Sequence, residues 1–308
     1  MVARISTPSS YNTVLANLMV AQQQQLAAGE QVGTQKKGKD LKGFATNAEM
    51  LTAMRTVQAR VKMYQEQNAI VSDRLATQDA ALNQITDAAA STRQSIADAI
   101  AAGRADALME DVKAQLRNAI DGLNTRYNGK FLFAGGQIDT KPVSAEGMAD
   151  LTSGPVASFL HNDTYKAQAK LDDSTNVTTG FLASDLGTDL LAAYQAIQAF
   201  EEGPDGPFNG KLTDAQSDFL QSQLATWDSI RTNLTAVTAQ NGLAQKQVDD
   251  VADRLVTRED TVAGMIGDVT DADMATAATQ LQMAQIAVQA SAQVFMTLQS
   301  SSLLNLLK

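Results

Sequence analysis

Two long stretches of the chain carry mostly apolar residues at alternating steps of four and three residues. The first repeat runs through Met50, Met54, Val57, Val61, Tyr64, Asn68, Val71, Leu75, Gln78, Leu82, Ile85, Ala89, Thr92 and Ile96. The second runs through Trp227, Ile230, Leu234, Val237, Asn241, Ala244, Val248, Val251, Leu255, Arg258, Val262, Met265 and Val269. A mean step of 3.5 residues is the period of a coiled coil, so the pattern predicts long helices at about residues 46–101 and 213–266.

The prolines lie outside both repeats, at Pro8, Pro142, Pro155, Pro204 and Pro207. A helix cannot bury a narrow apolar stripe alone, so we expect the chain to turn back in its middle and pair the two long helices. A further helix at about residues 105–124 is the expected third member. The predicted fold class is mainly α, a long antiparallel coiled-coil rod formed by the N- and C-terminal regions, with a small β-containing insert at one end.

The middle of the chain changes from helical to strand-and-turn patterning near Tyr127. The segment Arg126–Gly136 combines an Asn-Gly pair, a short apolar run and two glycines, which is typical of a hairpin. From there to about residue 185, short apolar runs alternate with Asn, Asp, Thr and Gly. A short helix at about residues 186–200 and a loop at 203–207 then lead back to the second long helix.

These patterns divide the chain into five predicted segments. They are an N-terminal assembly segment (1–40), the N-terminal half of the rod (41–125), a variable β-containing insert (126–210), the C-terminal half of the rod (211–268) and a C-terminal assembly helix (269–308). The glycine- and lysine-rich run 29–40 is predicted to be a solvated loop. The last helix is predicted to begin after Gly267, with Thr270 and Asp273 as its capping pair.

Both ends carry apolar residues that the predicted rod does not use. A first helix at about residues 9–28 and the last helix are too gapped to be stable alone, so we expect both ends to be disordered in the free monomer and to order on assembly. The chain finishes with four leucines among its last six residues, which favours burial against copies of itself or a partner. The predicted assembly contacts are Leu15, Leu18, Leu26, Leu281, Val288, Phe295, Leu298, Leu303, Leu304, Leu306 and Leu307.

Charge and composition narrow the class of protein. The formal net charge of −10 argues against a nucleic-acid partner, because phosphate binding depends on clustered Lys and Arg. The chain has no cysteine, which excludes disulfides and thiol chemistry. No run of 18 apolar residues is present, so no membrane span is predicted. The N-terminus lacks the basic-then-apolar order of a cleavable secretory signal.

Candidate catalytic residues are few. His161 is the only histidine, and a zinc site needs three or four convergent ligands. Asp271 and Asp273 are two residues apart, so on a helix their side chains point away from each other, and capping is the better interpretation. Gly135 and Gly136 lack the remaining residues of a phosphate-binding loop or dinucleotide fingerprint. We therefore predict a non-enzyme with no cofactor and no metal.

Three parts of the sequence resemble one known superfamily. The run from Asp271 to Leu281, the following Gln289-Ala-Ser and the Leu-Leu ending are similar to the C-termini of bacterial flagellins and hook-associated proteins, and Arg4-Ile-Ser-Thr is similar to their N-termini. The segment Arg126–Gly136, followed by Asp139-Thr-Lys-Pro, resembles the hook–filament junction family. The chain lacks the proline-containing motif that this family often has after its first helix.

The resemblance implies a structural subunit of the bacterial flagellum that joins a hook-associated protein to the flagellin filament. The implied partners are further copies of the chain, hook-associated protein 1, flagellin, an export chaperone and the type III export apparatus. The implied location is the extracellular flagellum, reached without a cleaved signal peptide. Flagellin itself is the alternative, because Asn128-Gly-Lys also resembles flagellins. A cytosolic coiled-coil scaffold also explains the repeats, although it does not explain the leucine-rich tail.

Overall fold

The computed structural model describes the backbone of residues 6–306 and the side chains of residues 12–298. Within those ranges, most of the chain is helical. The helices are α1 (Ser6–Thr34), α2 (Ala48–Ala102), α3 (Leu108–Leu123), α4 (Met148–Leu151), α5 (Ala183–Glu201), α6 (Asp214–Thr270) and α7 (Met274–Leu306), with 3-10 turns at Leu41–Phe44 and Val156–Phe159. The strands are β1 (Arg126–Tyr127), β2 (Lys130–Phe131), β3 (Gln168–Lys170) and β4 (Asn176–Thr178).

The chain forms two compact units. Unit 1 comprises Met1–Val61 and Thr257–Lys308, and unit 2 comprises Lys62–Val256. Unit 1 therefore holds α1, α7 and one end each of α2 and α6. Unit 2 holds the remainder of those two long helices together with α3, α5 and the β-containing insert.

In unit 2 the long helices α2 and α6 pack antiparallel, as the heptad pattern predicts. Gln78 Nε2 donates to Asn241 Oδ1 at 2.9 Å, and Arg93 pairs with Asp228, so residues later in α2 meet residues earlier in α6. The repeat positions at and beside these pairs are buried, including Leu75, Leu82, Trp227 and Leu234. The prediction of a mainly α fold with long packed helices and a small β insert is confirmed.

The apolar stripe leaves the predicted positions near the ends of the repeats. Met50, Arg258 and Met265 are exposed, and the buried residue at the start of α2 is Leu51. A straight α-helix has 3.6 residues per turn, so a strict 3.5-residue repeat drifts around the helix by about 20° per heptad. The stripe therefore moves by one position at the start of α2.

Three polar positions in the α2 repeat each bond a different element. Asn68 Nδ2 donates to the carbonyl of Leu171 at 3.2 Å, between β3 and β4. Gln78 bonds Asn241 on α6. The hydroxyls of Thr92 and Tyr194 lie 2.8 Å apart, which ties α2 to α5. Because a buried polar group without a partner is destabilising, these bonds favour one arrangement of the elements.

Helix α3 is the third member of the helical core, as predicted. Its apolar face is buried at Leu108, Val112, Leu116, Ile120 and Leu123. Gly122 lets α3 approach α2, because a Cβ atom at this position would lie 2.7 Å from Cγ1 of Ile85.

The insert contains two small antiparallel hairpins. Strands β1 and β2 pair through a turn in which Asn128 and Gly129 both have positive φ, as the Asn-Gly signal predicts. Strands β3 and β4 pair from Gln168↔Thr178 to Lys170↔Asn176. The long helices, the third helix and the first hairpin were therefore predictable from local patterns.

Candidate assembly interface

Helices α1 and α7 pack against each other in unit 1, and small residues form their contact. The residues buried there are Ala21, Ala28, Ala277 and Ala284. Leu281 packs over Gly29, where its Cδ1 atom lies 3.8 Å from the position that a Cβ atom would occupy. Alanine and glycine allow close approach of two helices, but they bury little apolar area. The pairing therefore leaves much of the apolar surface of both helices uncovered.

Several of the larger apolar side chains of this helix pair face outward. In α1, Met19 is 63% exposed and Leu26 is 75% exposed. The exposed members of α7 are Met274, Met283, Ile286, Val294 and Met296. Large apolar side chains exposed in this number on two paired helices are typical of a protein–protein contact.

Charge is almost absent from the helix pair. Glu30 is the only charged residue of α1, and α7 has none among its 33 residues. Neither helix therefore has the charged, strongly solvated side of an ordinary surface helix. No helix in the described part of the chain has a stretch apolar enough to cross a membrane.

An open groove of about 510 Å³ runs between α1 and α7. Glutamine, alanine and one methionine line it, and the lining residues are Gln24, Ala27, Ala28, Gln31, Gln280, Met283, Ala284 and Ala287. Uncharged amides beside apolar carbons can hydrogen-bond and pack against another helix without burying charge.

The lysine-rich loop is not simply solvated, which corrects the sequence interpretation. Lys36 Nζ forms an ion pair with Asp271 at 2.5 Å, and Lys37 Nζ donates to the carbonyl of Asp268 at 2.8 Å. The backbone adds two bonds, from Lys37 N to Thr270 O and from Ala272 N to Gln35 O. The segment that follows α1 and the segment that precedes α7 are therefore tied together.

Asp271 and Asp273 have different roles. The bond from Lys36, followed by the bond from Thr270, lowers the pKa of Asp271. Asp273 caps α7, because its Oδ1 accepts from Ala275 N at 3.0 Å, and the bonds from Thr276 lower its pKa most. The predicted Thr270–Asp273 capping pair is wrong. Thr270 ends α6, which continues through Gly267 because helical hydrogen bonds persist across it.

The predicted assembly contacts divide into three groups. Leu15 and Leu26 are exposed. The half-buried members are Leu18, Leu281, Val288, Phe295 and Leu298. Leu303, Leu304, Leu306 and Leu307 lie outside the residues whose side chains the structure describes. Met19, Met283 and Ile286 were missed, although the lack of charge around both helices was a readable signal.

The predicted loop at residues 29–40 begins too early. Helix α1 continues through Gly29 and Gly33 to Thr34. Packing against α7 compensates for the weak helix propensity of glycine at the first of these positions. In the structure both terminal helices are formed and paired, whereas their predicted disorder before assembly concerns the protein in solution and stays a prediction.

The residues considered as catalytic candidates make ordinary hydrogen-bond and packing contacts within the fold. His161 is exposed, and its Nε2 atom lies 2.9 Å from Ser144 Oγ. Gly136 N donates to Asp163 Oδ1 at 2.9 Å, and a Cβ atom at Gly135 would overlap the same carboxylate. Among the described residues, no group of three or more acidic, histidine or cysteine side chains is placed to hold a metal ion.

Comparison with known proteins gives consistent matches at both ends. Residues 5–137 match the model of the bacterial flagellin N-terminal helical region, and residues 224–307 match that of the C-terminal helical region. The chain is 23% identical over 323 residues to flagellar hook-associated protein 3 of Escherichia coli (strain K12), covering 99% of this chain and 100% of that protein.

Two solved structures share the fold. A flagellar hook-associated protein from Vibrio parahaemolyticus superposes with a TM-score of 0.59 and 14% identity, covering 72% of this chain and 97% of that chain. The crystal structure of Bacillus cereus FlgL superposes with a TM-score of 0.55 and 12% identity, covering 70% of this chain and 99% of that chain.

Proposed function

The chain belongs to the bacterial flagellin family, and from that premise we propose that it is the junction subunit between a hook-associated protein and the flagellin filament. The family assigns it a structural role in the flagellum. The similarity to flagellar hook-associated protein 3, which extends over the full length of that protein, supports the finer assignment. Flagellin is the alternative, because both matching family models describe flagellin regions.

The observation that carries the proposal is the almost uncharged pair of terminal helices, which exposes several large apolar side chains. Neighbouring copies that cover these side chains would gain roughly 1.5–3 kcal/mol for each large side chain that becomes fully buried. The leucines of the tail add further apolar area of the same kind. Apolar burial of this kind does not depend on exact geometry, so the contact between copies becomes strong when many helices surround one another.

The partners follow from this role. We propose hook-associated protein 1 on one side, flagellin on the other, and additional copies of the chain around the ring. An export chaperone and the type III export apparatus would deliver the chain to the extracellular flagellum.

The proposal is tested by deleting residues 300–308 in cells that depend on this protein. The shortened chain should fold and be exported but should not stay at the hook, and flagellin should accumulate in the medium instead of polymerising. Long filaments formed by the purified full-length chain alone would replace the junction role with the filament-subunit role. Normal filaments in a strain without the gene would exclude the junction role.

A matched pair of point variants tests the helical surface separately. Leu26→Glu places a charge on the exposed face of α1, whereas Tyr165→Glu places one on a similarly exposed side chain of the insert. The first variant should reduce motility because burying an unpaired charge is unfavourable, and the second should not. Equal motility of the two variants would mean that this face of α1 is not covered in the flagellum.

A further inference from the structure

The guanidinium group of Arg74 on α2 is partly withdrawn from water, and none of the carboxylates that the structure describes pairs with it. Its Nε atom is buried and has no hydrogen-bond partner in the described structure. Burial lowers the pKa of Arg74, and the nearby Tyr127 opposes that shift. A partly buried cation without a carboxylate is unfavourable, and an acidic group from another molecule would relieve it.

Apolar side chains accompany Arg74 on the same side of α2. Met63 and Ile70 are both more than half exposed, and spacings of seven and four residues align them with Arg74. The hydroxyl of Tyr127 donates to the carbonyl of Ile70 at 3.5 Å, which holds an aromatic ring beside this surface. Arginine, tyrosine and methionine are enriched at protein interfaces. We call Met63, Ile70 and Arg74 the α2 face.

Helix α6 carries a surface of complementary character. Asp249 is exposed and forms no ion pair with the described residues, whereas the neighbouring Asp250 pairs with Lys246 at 3.1 Å. Val256, seven residues after Asp249, is also more than half exposed. Gly242, seven residues before it, lies within the helix, and a Cβ atom there would meet nothing within 4 Å. We call Gly242, Asp249 and Val256 the α6 face.

The glycine is unexplained within a single chain. Glycine inside a helix is about 1 kcal/mol less favourable than alanine. Nothing in the described structure crowds this position, so alanine would fit. The absence of a side chain does, however, leave the helix backbone open to close approach by another molecule.

The spacing of the two faces fits an antiparallel contact. Within one chain α2 and α6 are antiparallel, so in a ring of copies that all point the same way, α2 of one copy meets α6 of the next antiparallel. If Arg74 lies opposite Asp249, the helical rise of about 1.5 Å per residue places Val256 about 10 Å along the contact. That position falls between Ile70 at about 6 Å and Met63 at about 16 Å.

We propose that neighbouring copies of this chain join through these two faces, with Arg74 of one copy paired to Asp249 of the next. The inference rests on the proposed structural role and adds a second contact to that of the terminal helices. It makes the partner of the α2 face another copy of the same chain. Each copy uses one face of each kind, so the contact is head-to-tail and can close a ring.

Disulfide trapping tests the contact directly, because the chain has no cysteine of its own. Purified full-length Arg74→Cys and Asp249→Cys variants are mixed at high concentration and oxidised. The control replaces Arg74→Cys with Ala76→Cys, an exposed position about 160° away around α2. The first mixture should give about tenfold more disulfide-linked heterodimer, because a disulfide needs closely placed Cα atoms. Equal yields, or no heterodimer from either mixture, would overturn the proposal.

Charge reversal tests the chemistry of the same contact. Arg74→Glu should weaken self-association about tenfold or more, measured by sedimentation, and adding Asp249→Arg should restore most of it. Circular dichroism verifies that each variant is folded. Self-association unchanged by Arg74→Glu, or not restored by the double reversal, would contradict the pairing.

The glycine supplies a steric test with a matched control. Gly242→Trp should block trapping between Arg74→Cys and Asp249→Cys, because it fills the open space on the α6 face. Leu243→Trp changes the next residue, which is already exposed, and should leave trapping intact. Equal trapping in both backgrounds would remove Gly242 from the contact and overturn the proposed face.

These tests separate the inference from the proposed function. If the 300–308 deletion releases flagellin but no trapped heterodimer forms, the junction role stands and this contact is wrong. If the heterodimer forms but a strain without the gene builds normal filaments, the contact stands and the junction role is wrong.

Discussion

The pairing of α2 with α6 is open to a quantitative test at two leucines. Leu75 of α2 and Leu255 of α6 are both buried. We expect Leu75→Ala and Leu255→Ala each to lower the free energy of unfolding by about 2–5 kcal/mol, because each removes buried methyl groups and leaves a cavity.

The structure also predicts how the two effects combine. The carbonyl of Leu75 accepts a hydrogen bond from Gln245 at 3.0 Å, so Gln245 marks its level on α6. Leu255 lies ten residues farther along α6, or about 15 Å away. Sites this far apart usually act independently, so the double variant should lose the sum of the single effects, about 4–10 kcal/mol.

The assay is equilibrium urea unfolding followed by circular dichroism. Leu243→Ala is the matched control, because it makes the same change on α6 at a side chain that is 68% exposed. That control should change the unfolding free energy by about 0.5 kcal/mol or less. A double variant that loses less than about 2 kcal/mol, or no more than the control, would refute the burial of these leucines between paired helices.

Three further predictions concern other parts of the chain. Gly135→Ala should lower the free energy of unfolding by about 2 kcal/mol or more, whereas Gly129→Ala, also at positive φ but in open space, should cost about 1 kcal/mol. The bond from Arg93 lowers the pKa of Asp228, so its stabilisation is present above pH about 4 and is lost as pH falls through the lowered pKa. Asp228→Asn should therefore lower the Tm at pH 7 but not at pH about 2. Limited proteolysis of the monomer should remove both ends and leave about residues 45–265, whereas resistance at both ends would show that α1 and α7 are stably paired before assembly.

The long helices were predictable because their information is local and periodic. The alternation of four and three residues in the first repeat is sufficient to place α2, and the Asn128-Gly129 pair is sufficient to place the first hairpin. The limits of α1 were not predictable in the same way. Its last turn includes Gly33 and depends on neighbours that are distant in sequence.

The hydrogen-bond partners of the polar residues could not be predicted from the sequence either. Lys36 and Lys37 have the composition of a solvated loop, yet they bond residues about 230 positions away. Only the folded chain brings these groups together. The lack of charge in α7 could be read from the sequence, but the outward direction of its apolar side chains could not, because a helix without charge predicts neither an inner nor an outer face.

The bonds at the far end of β3 and β4 bear on how freely the insert could be exchanged among relatives. Tyr64 donates to Asp173 at 3.0 Å, and Asn68 donates to the carbonyl of the buried Leu171. Both donors belong to α2, far along the sequence from their acceptors. Excising the insert would leave these groups without partners inside the helical core. A functional chimera would therefore need to transplant positions 64 and 68 together with the insert. The segment that relatives can exchange thus includes part of α2.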